Sequence, residues 1–239
     1  MTLLFQDRFD GAAGMPLGAW PGNVIGRTMD SGHVWYPGNE GRDLRLDGAG
    51  AVTGGWPQSS SNSDVWCSTE MPEADYWIEL DVNIPANDGD SYFTIFFKVQ
   101  TQPNASYGAE NSNWGNVRWF PVNSTSPEVI ENGGYGTLMG PLQVSTFGAG
   151  TFGDHTLRVT VVGTLVSTYV DDVLMTTKSI VGAIPNNGWV GFGMNSRNDD
   201  NSAISYVTVK EFRAGDFLIP VEPVATAFWT ANVSATEIF

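Results

Sequence analysis

One cysteine, Cys67, is all the chain contains, so no internal disulfide can staple it. Stability has to come from a core, and a chain of this size hides roughly 70–75% of the surface its unfolded form exposes. Cys67 then reads as a buried hydrophobe. Basic residues are also scarce: 11 Lys and Arg stand against 26 Asp and Glu, a net charge of −15. Phosphate backbones and anionic lipid are bound mainly through Lys and Arg, so neither nucleic acid nor a membrane surface is expected as a partner. No apolar run approaches the ~20 residues that span a bilayer. The opening Met1-Thr2-Leu3-Leu4-Phe5-Gln6-Asp7-Arg8 has no basic stretch leading into an apolar one, which is the pattern of a chain made and folded in the cytoplasm. The two histidines, His33 and His155, lie far apart, and no His/Cys cluster has zinc spacing. Both read as surface or strand-edge residues. Gly-x-Ser-x-Gly and Gly-x-x-x-x-Gly-Lys motifs are absent, and the serines from Ser59 to Ser63 form a polar loop rather than a nucleophile elbow.

What the chain does have is 41% hydrophobic and 12% aromatic residues in short alternating runs. In the clearest, Ile78, Leu80, Val82 and Ile84 alternate with Trp77, Glu79, Asp81 and Asn83, as in a half-buried strand. Turn formers from Pro85 to Asp90 lead to a second run, and the two read as adjacent strands. There Phe93, Ile95, Phe97 and Val99 share one face while Tyr92, Thr94, Phe96 and Lys98 share the other, which predicts a central strand. Further strands are expected at Val34–Tyr36, Leu44–Leu46, Val65–Glu70, Val117–Phe120, Thr156–Val162, Val166–Val170, Val190–Met194 and Ala203–Phe212. No segment makes a long helix. The pattern predicts an all-β antiparallel sandwich over residues 1–215. Residues 216–239 read as an extended arm, because prolines at 220 and 223 oppose helix and sheet and the rest is small and apolar. Phe228, Trp229 and Phe239 on that arm would dock either on the chain's own body or on a neighbour. Residues 105–153, rich in Gly, Asn and Ser, read as long loops.

Particular runs resemble a known family. Phe5-Gln-Asp-Arg-Phe-Asp-Gly11, followed by a small turn and Trp20, is similar to the opening of concanavalin-like domains in bacterial surface and phage structural proteins. His155 to Asp172 resembles the hairpin of laminin-G-like domains, a strand, a Gly turn and a strand ending Tyr-Val-Asp, with Asp172 in place of the usual Gly. Gly188–Met194 and Ile204–Phe212 resemble the family's closing strands. The resemblance covers residues 5–213 and implies a jelly roll of the concanavalin, or laminin-G/glucanase, kind.

That fold hosts lectins, hydrolases and virion proteins alike, so the sites must decide the function. Glu79-Leu80-Asp81-Val82-Asn83 resembles the glucanase signature Glu-x-Asp-x-Glu, and alternation places Glu79, Asp81 and Asn83 on one face. A retaining glycosidase needs a nucleophile and a general acid, and the amide of Asn83 cannot protonate a leaving oxygen. The row therefore reads as a degenerate site, and the chain as not an enzyme. Tyr107, Trp114, Trp119 and Tyr135, read as loop aromatics, either stack on sugar rings or fill the core and its lid. No cofactor is required; calcium is the one candidate, since the family often holds it and Asp88, Asp90, Asp199, Asp200 and Asn201 offer oxygen ligands.

Three functions follow from this reading. The first is a virion protein, a bacteriophage minor tail, fibre or capsid-decorating protein, forming a homo-oligomer with other virion proteins as partners and meeting a host cell-surface glycan. The others are a carbohydrate-binding module and a glycoside hydrolase of the glucanase-like class.

Overall fold

The computed structural model describes residues 1–11, 27–37, 45–53, 63–84, 92–99, 114–120, 129–135, 143–146, 153–179, 188–195 and 208–217. Among these residues there is no helix, and the strands form two antiparallel sheets, as the alternating runs predict. One sheet runs in the order β13 (Val173–Ser179), β12 (Leu165–Val170), β11 (Gly153–Val162), β6 (Tyr76–Ile84), β15 (Thr208–Asp216), β4 (Val52–Thr53) and β3 (Arg45–Leu46). Its eighth strand, β1 (Thr2–Asp7), also pairs with β15. The seven-stranded sheet runs β10 (Gln143–Thr146), β9 (Val129–Tyr135), β8 (Trp114–Phe120), β7 (Tyr92–Val99), β14 (Trp189–Asn195), β5 (Ser63–Glu70) and β2 (Trp35–Pro37).

Alternation decides which side chains meet between the sheets. On β6, Ile78, Leu80, Val82 and Ile84 are at most 1% exposed. They join Leu157, Val159 and Val161 of β11 and Phe212 and Ala214 of β15 in one core with Phe93, Ile95 and Phe97 of β7 and Phe192 and Met194 of β14. Trp35 locks the two layers, its ring 4.9 Å from Phe212 of one sheet and 5.3 Å from Phe192 of its own. Aromatic pairs of this kind add about 0.5–1.5 kcal/mol each beyond the area they bury.

Beneath them lies a buried ion pair that accounts for the opening motif. Asp7 is fully buried and accepts hydrogen bonds from Phe9 N (2.9 Å), Trp35 Nε1 (2.8 Å) and the Arg27 Nε and Nη2 (3.1 and 3.0 Å). Phe9 takes a φ of 57° beside it and packs its ring into the core.

Two turns position the functional face. Gly163, at φ 56°, opens the two-residue turn between β11 and β12, and its N–H donates to Asp75 Oδ1. Asp171 and Asp172 turn the chain from β12 to β13 with φ of 49° and 65°, so Asp172 adopts the left-handed backbone that the resembling motif gives to Gly.

Several expectations are corrected. Strands β6 and β7 follow each other in sequence but lie in different sheets; the neighbours of β6 are β11 and β15. A turn-rich link fits a crossover as well as a hairpin, so composition alone could not separate them. Val99 does not share the face of Phe93, Ile95 and Phe97: a register shift opposite Trp189–Gly191, with Lys98 at φ 51°, turns Val99 to the side of Phe96 and Trp189. Residues 105–153 are not simply loops: the strand expected at Val117–Phe120 is there as β8, and β9 and β10, which were not anticipated, follow it. Their Gly and Asn content masked the alternation, and the ladder Trp114↔Tyr135 to Phe120↔Val129 shows that they pair. Trp114, Trp119 and Tyr135 are thus strand residues, with their side chains outside the described set; Tyr107 lies outside it altogether. Strands β1, β4 and β13 were not anticipated. The arm residues Phe228, Trp229 and Phe239 and the calcium candidates Asp88, Asp90, Asp199, Asp200 and Asn201 lie outside the described residues, as does the Cys67 side chain.

Candidate functional site on the outer face of the eight-stranded sheet

The side chains of β6 that avoid the core are Glu79, Asp81 and Asn83, each half-buried on the outer face as their spacing requires. Register gives each a partner on both sides. Across β11, Glu79 faces Arg158, Asp81 faces Thr156 and Asn83 faces Asp154. Across β15, Glu79 faces Arg213, Asp81 faces Glu211 and Asn83 faces Thr208. A register shift between Val209 and Glu211 takes Lys210 out of the ladder.

Charged hydrogen bonds tie the row together. Arg213 spreads over three carboxylates, its Nε 3.2 Å from Glu79, Nη2 2.9 Å from Asp81 and Nη1 2.7 Å from Glu211. Burial works against that charge, but attraction to Asp81, Glu211 and Glu79, with the hydrogen bond to Asp81, outweighs it and holds the guanidinium above its ordinary pKa. Arg158 Nη1 clamps Glu79 from the other side at 3.3 Å and also reaches Asp172 at 2.7 Å, while the guanidinium carbon lies 4.7 Å from the centre of the Tyr169 ring. Thr156 Oγ1 donates to Asp81 at 2.9 Å, and Gln6 Nε2 donates to Glu211 at 2.6 Å.

At the Asn83 end, where a glucanase row would carry its second acid, the amide donates to Asp154 Oδ1 at 2.5 Å and Lys210 Nζ reaches the same oxygen at 2.6 Å. The Lys210 hydrogen bond, then the one from Asn83, hold the Asp154 carboxyl below the usual carboxylate range. A polar cavity of about 490 Å³ opens here, lined among others by Asp81, Asp154, His155, Thr156, Lys210 and Glu211. That volume lies within the usual range for small-molecule sites. His155 is not an ordinary surface residue. Its side chain is 10% exposed and its Nδ1 lies 2.6 Å from Asp171 Oδ2, while Asp171 Oδ1 accepts from Thr156 N. His33 packs its ring edge-on against Phe5, 4.5 Å between ring centres.

The structure therefore brings together Glu79, Asp81 and Asn83, and adds Arg213, Arg158, Glu211 and Asp154, which the sequence did not single out. Alternation could have found two of them: with Phe212 and Ala214 inward, Glu211 and Arg213 share the opposite face. No group of three or more His, Cys, Asp or Glu suited to a metal ion occurs among the described residues.

No family model and no curated protein matches the sequence. Solved structures do match the fold. A pseudo beta-1,3-glucanase and immunostimulatory antigen of Mycobacterium tuberculosis superposes with a TM-score of 0.54 at 14% identity, over 90% of this chain and 99% of its own. A beta-1,3-glucanase from Mycobacterium marinum gives 0.53 at 12% identity, over 90% and 99%. A Bacillus subtilis protein of unknown function with a galectin-like fold gives 0.55 at 10% identity, over 87% and 97%. The chain thus has the galectin-like and glucanase-like β-sandwich that the resemblance implied. The expectation that it is not an enzyme is overturned, because proteins of this same sandwich include a beta-1,3-glucanase, and an amide at position 83 is too narrow a ground for excluding catalysis.

Proposed function

We propose that the chain is a glycan-directed protein of the glucanase-like sandwich class, meeting a β-linked glucan on the outer face of the eight-stranded sheet. The observation that carries this reading is the row Glu79, Asp81 and Asn83, aligned on one face and leading into the polar cavity beside Asp81 and Asp154. Carboxylates and amides fixed by neighbours are suited to the hydroxyl groups of a sugar, because their orientation is set before the ligand arrives. In hydrolysis, Glu79 would take the nucleophile's place and Asp81 would support it, while Asp154 beside Asn83, kept ionised by Lys210 and Asn83, would serve as a hydrogen-bond acceptor for a sugar hydroxyl rather than as the acid. The virion reading draws on the arm, whose residues beyond 217 lie outside the described set, so the glycan reading has the stronger support.

The test is incubation with laminarin and with cello-oligosaccharides, following new reducing ends and, in parallel, heat of binding. Saturable binding that weakens at least tenfold in Glu79→Gln and Asp81→Asn is the expected result, and any reducing ends should disappear with it. Wild-type protein that neither binds nor cleaves any β-glucan would refute the proposal.

A further inference from the structure

Register puts one pair of groups where a sheet disfavours them. Asp81 and Glu211 lie directly opposite each other on β6 and β15, and like charges in that relation destabilise a sheet. Both are largely shielded, their side chains 29% and 18% exposed, so water screens them only in part. Glu79 adds a third carboxylate one alternation further along. The group that makes this arrangement tenable is Arg213, directly opposite Glu79, whose three nitrogens each hold a different carboxylate. A planar guanidinium can do this because its donors are fixed in a fork; an ammonium is a point charge without that geometry. A sheet surface with no task beyond solubility would gain nothing from acid placed opposite acid. Local rules tend to be broken where a site needs them broken.

We infer that Arg213 is a positioning residue that binds Glu79, Asp81 and Glu211 into one preorganised acceptor unit, and that β-glucan is recognised by this unit rather than by Glu79 alone. The inference rests on the glycan reading above. Arg158 and Arg8 do not replace Arg213: Arg158 reaches only Glu79 of the three, and Arg8 only Glu211, at 3.6 Å. Losing Arg213 would leave Asp81 with Thr156 as its one described donor, opposite a Glu211 that keeps only Gln6 and the 3.6 Å contact to Arg8.

Four variants test this against laminarin by calorimetry, with thermal melts alongside: Arg213→Gln, Arg213→Lys, Arg213→Ala and the double variant Arg213→Gln with Glu211→Gln. Arg213→Gln and Arg213→Lys should each weaken binding at least tenfold. In the double variant the melting temperature should recover, because the repulsion is gone, while binding stays weak. Arg213→Ala should regain part of its affinity when methylguanidinium is supplied. Wild-type affinity in Arg213→Lys, or recovery of binding together with stability in the double variant, would reduce Arg213 to a structural neutraliser and overturn the inference. A glycan-free measurement separates this from failure of the glycan reading: the side-chain carboxyl ¹³C resonances of Glu79, Asp81 and Glu211 should all move in Arg213→Gln. Movement of one alone would show that there is no unit, whatever the protein binds.

Discussion

Replacing Asp7 by Asn changes one atom in a side chain that is fully buried and accepts from three partners. Its amide brings a donor to a place already supplied by Arg27, Trp35 and the Phe9 N–H, and the Arg27 guanidinium loses its counter-charge. Breaking a buried ion pair from one side costs about 3–5 kcal/mol. Arg27 keeps 18% of its side chain exposed, so water can partly compensate and the lower end applies. At about 2–4 °C per kcal/mol for a domain of this size, a loss near 3 kcal/mol lowers the melting temperature by about 6–12 °C. Urea titration followed by tryptophan fluorescence measures the loss, and an unchanged denaturant slope would show that the unfolded state was not the cause. Removing both charges, with Asp7→Asn and Arg27→Met together, should be less harmful than Asp7→Asn alone, since no unpaired charge remains. A single variant that melts within 2 °C of wild type would refute the view that this pair organises the chain's opening.

Asp172→Gly should be stabilising: the left-handed backbone at φ 65° costs a residue with a side chain roughly 1 kcal/mol, while the bond to Arg158 is made by a carboxylate 83% exposed and contributes less. A rise of a few degrees in a thermal melt checks it. Gly215→Ala should destabilise by about 1–3 kcal/mol, because a Cβ there would lie 1.8 Å from the Thr2 carbonyl oxygen and 2.9 Å from the Trp77 ring, forcing β1 off β15. Hydrogen exchange should show Leu3 to Gln6 losing protection first. The Asp154 carboxyl, held below its ordinary range, supports the fold above the unfolded-state pKa and stops doing so as pH falls through the lower folded value. In Lys210→Gln its ¹³C titration should move up toward the ordinary carboxylate value.

Much of the fold was legible because burial imposes a period of two, and residues 78–84 and 166–170 obey it without interruption. Partnership was not legible. Nothing local in the sequence of β6 says that it pairs with β11 and β15 rather than β7, since a ladder is selected by the whole set of competing strands. The candidate site divides in the same way. Glu79, Asp81 and Asn83 could be placed on one face from spacing alone. Arg158 and Arg213 sit 79 and 134 residues from Glu79, and their role exists only once register puts them beside it. The bulge at Lys98 escaped notice because an extra residue leaves no compositional mark when its neighbours are all buried, as Phe96, Phe97 and Val99 are.

The central position of β15 has a consequence for how the molecule is made. It is the last described strand in sequence, yet it pairs with β6 on one side and with β1 and β4 on the other. During synthesis β1 emerges before every other described strand and waits, without its partner, until residue 216 has been made. Pairings across such long loops form slowly, and unpaired strand edges are exposed to aggregation meanwhile. Closure of the eight-stranded sheet is therefore a late event that draws both ends of the described chain together. A chain stopped short of β15 would lack more than one strand: it would leave β1 without a ladder and Glu79 without Arg213, so fold and site are completed in the same step.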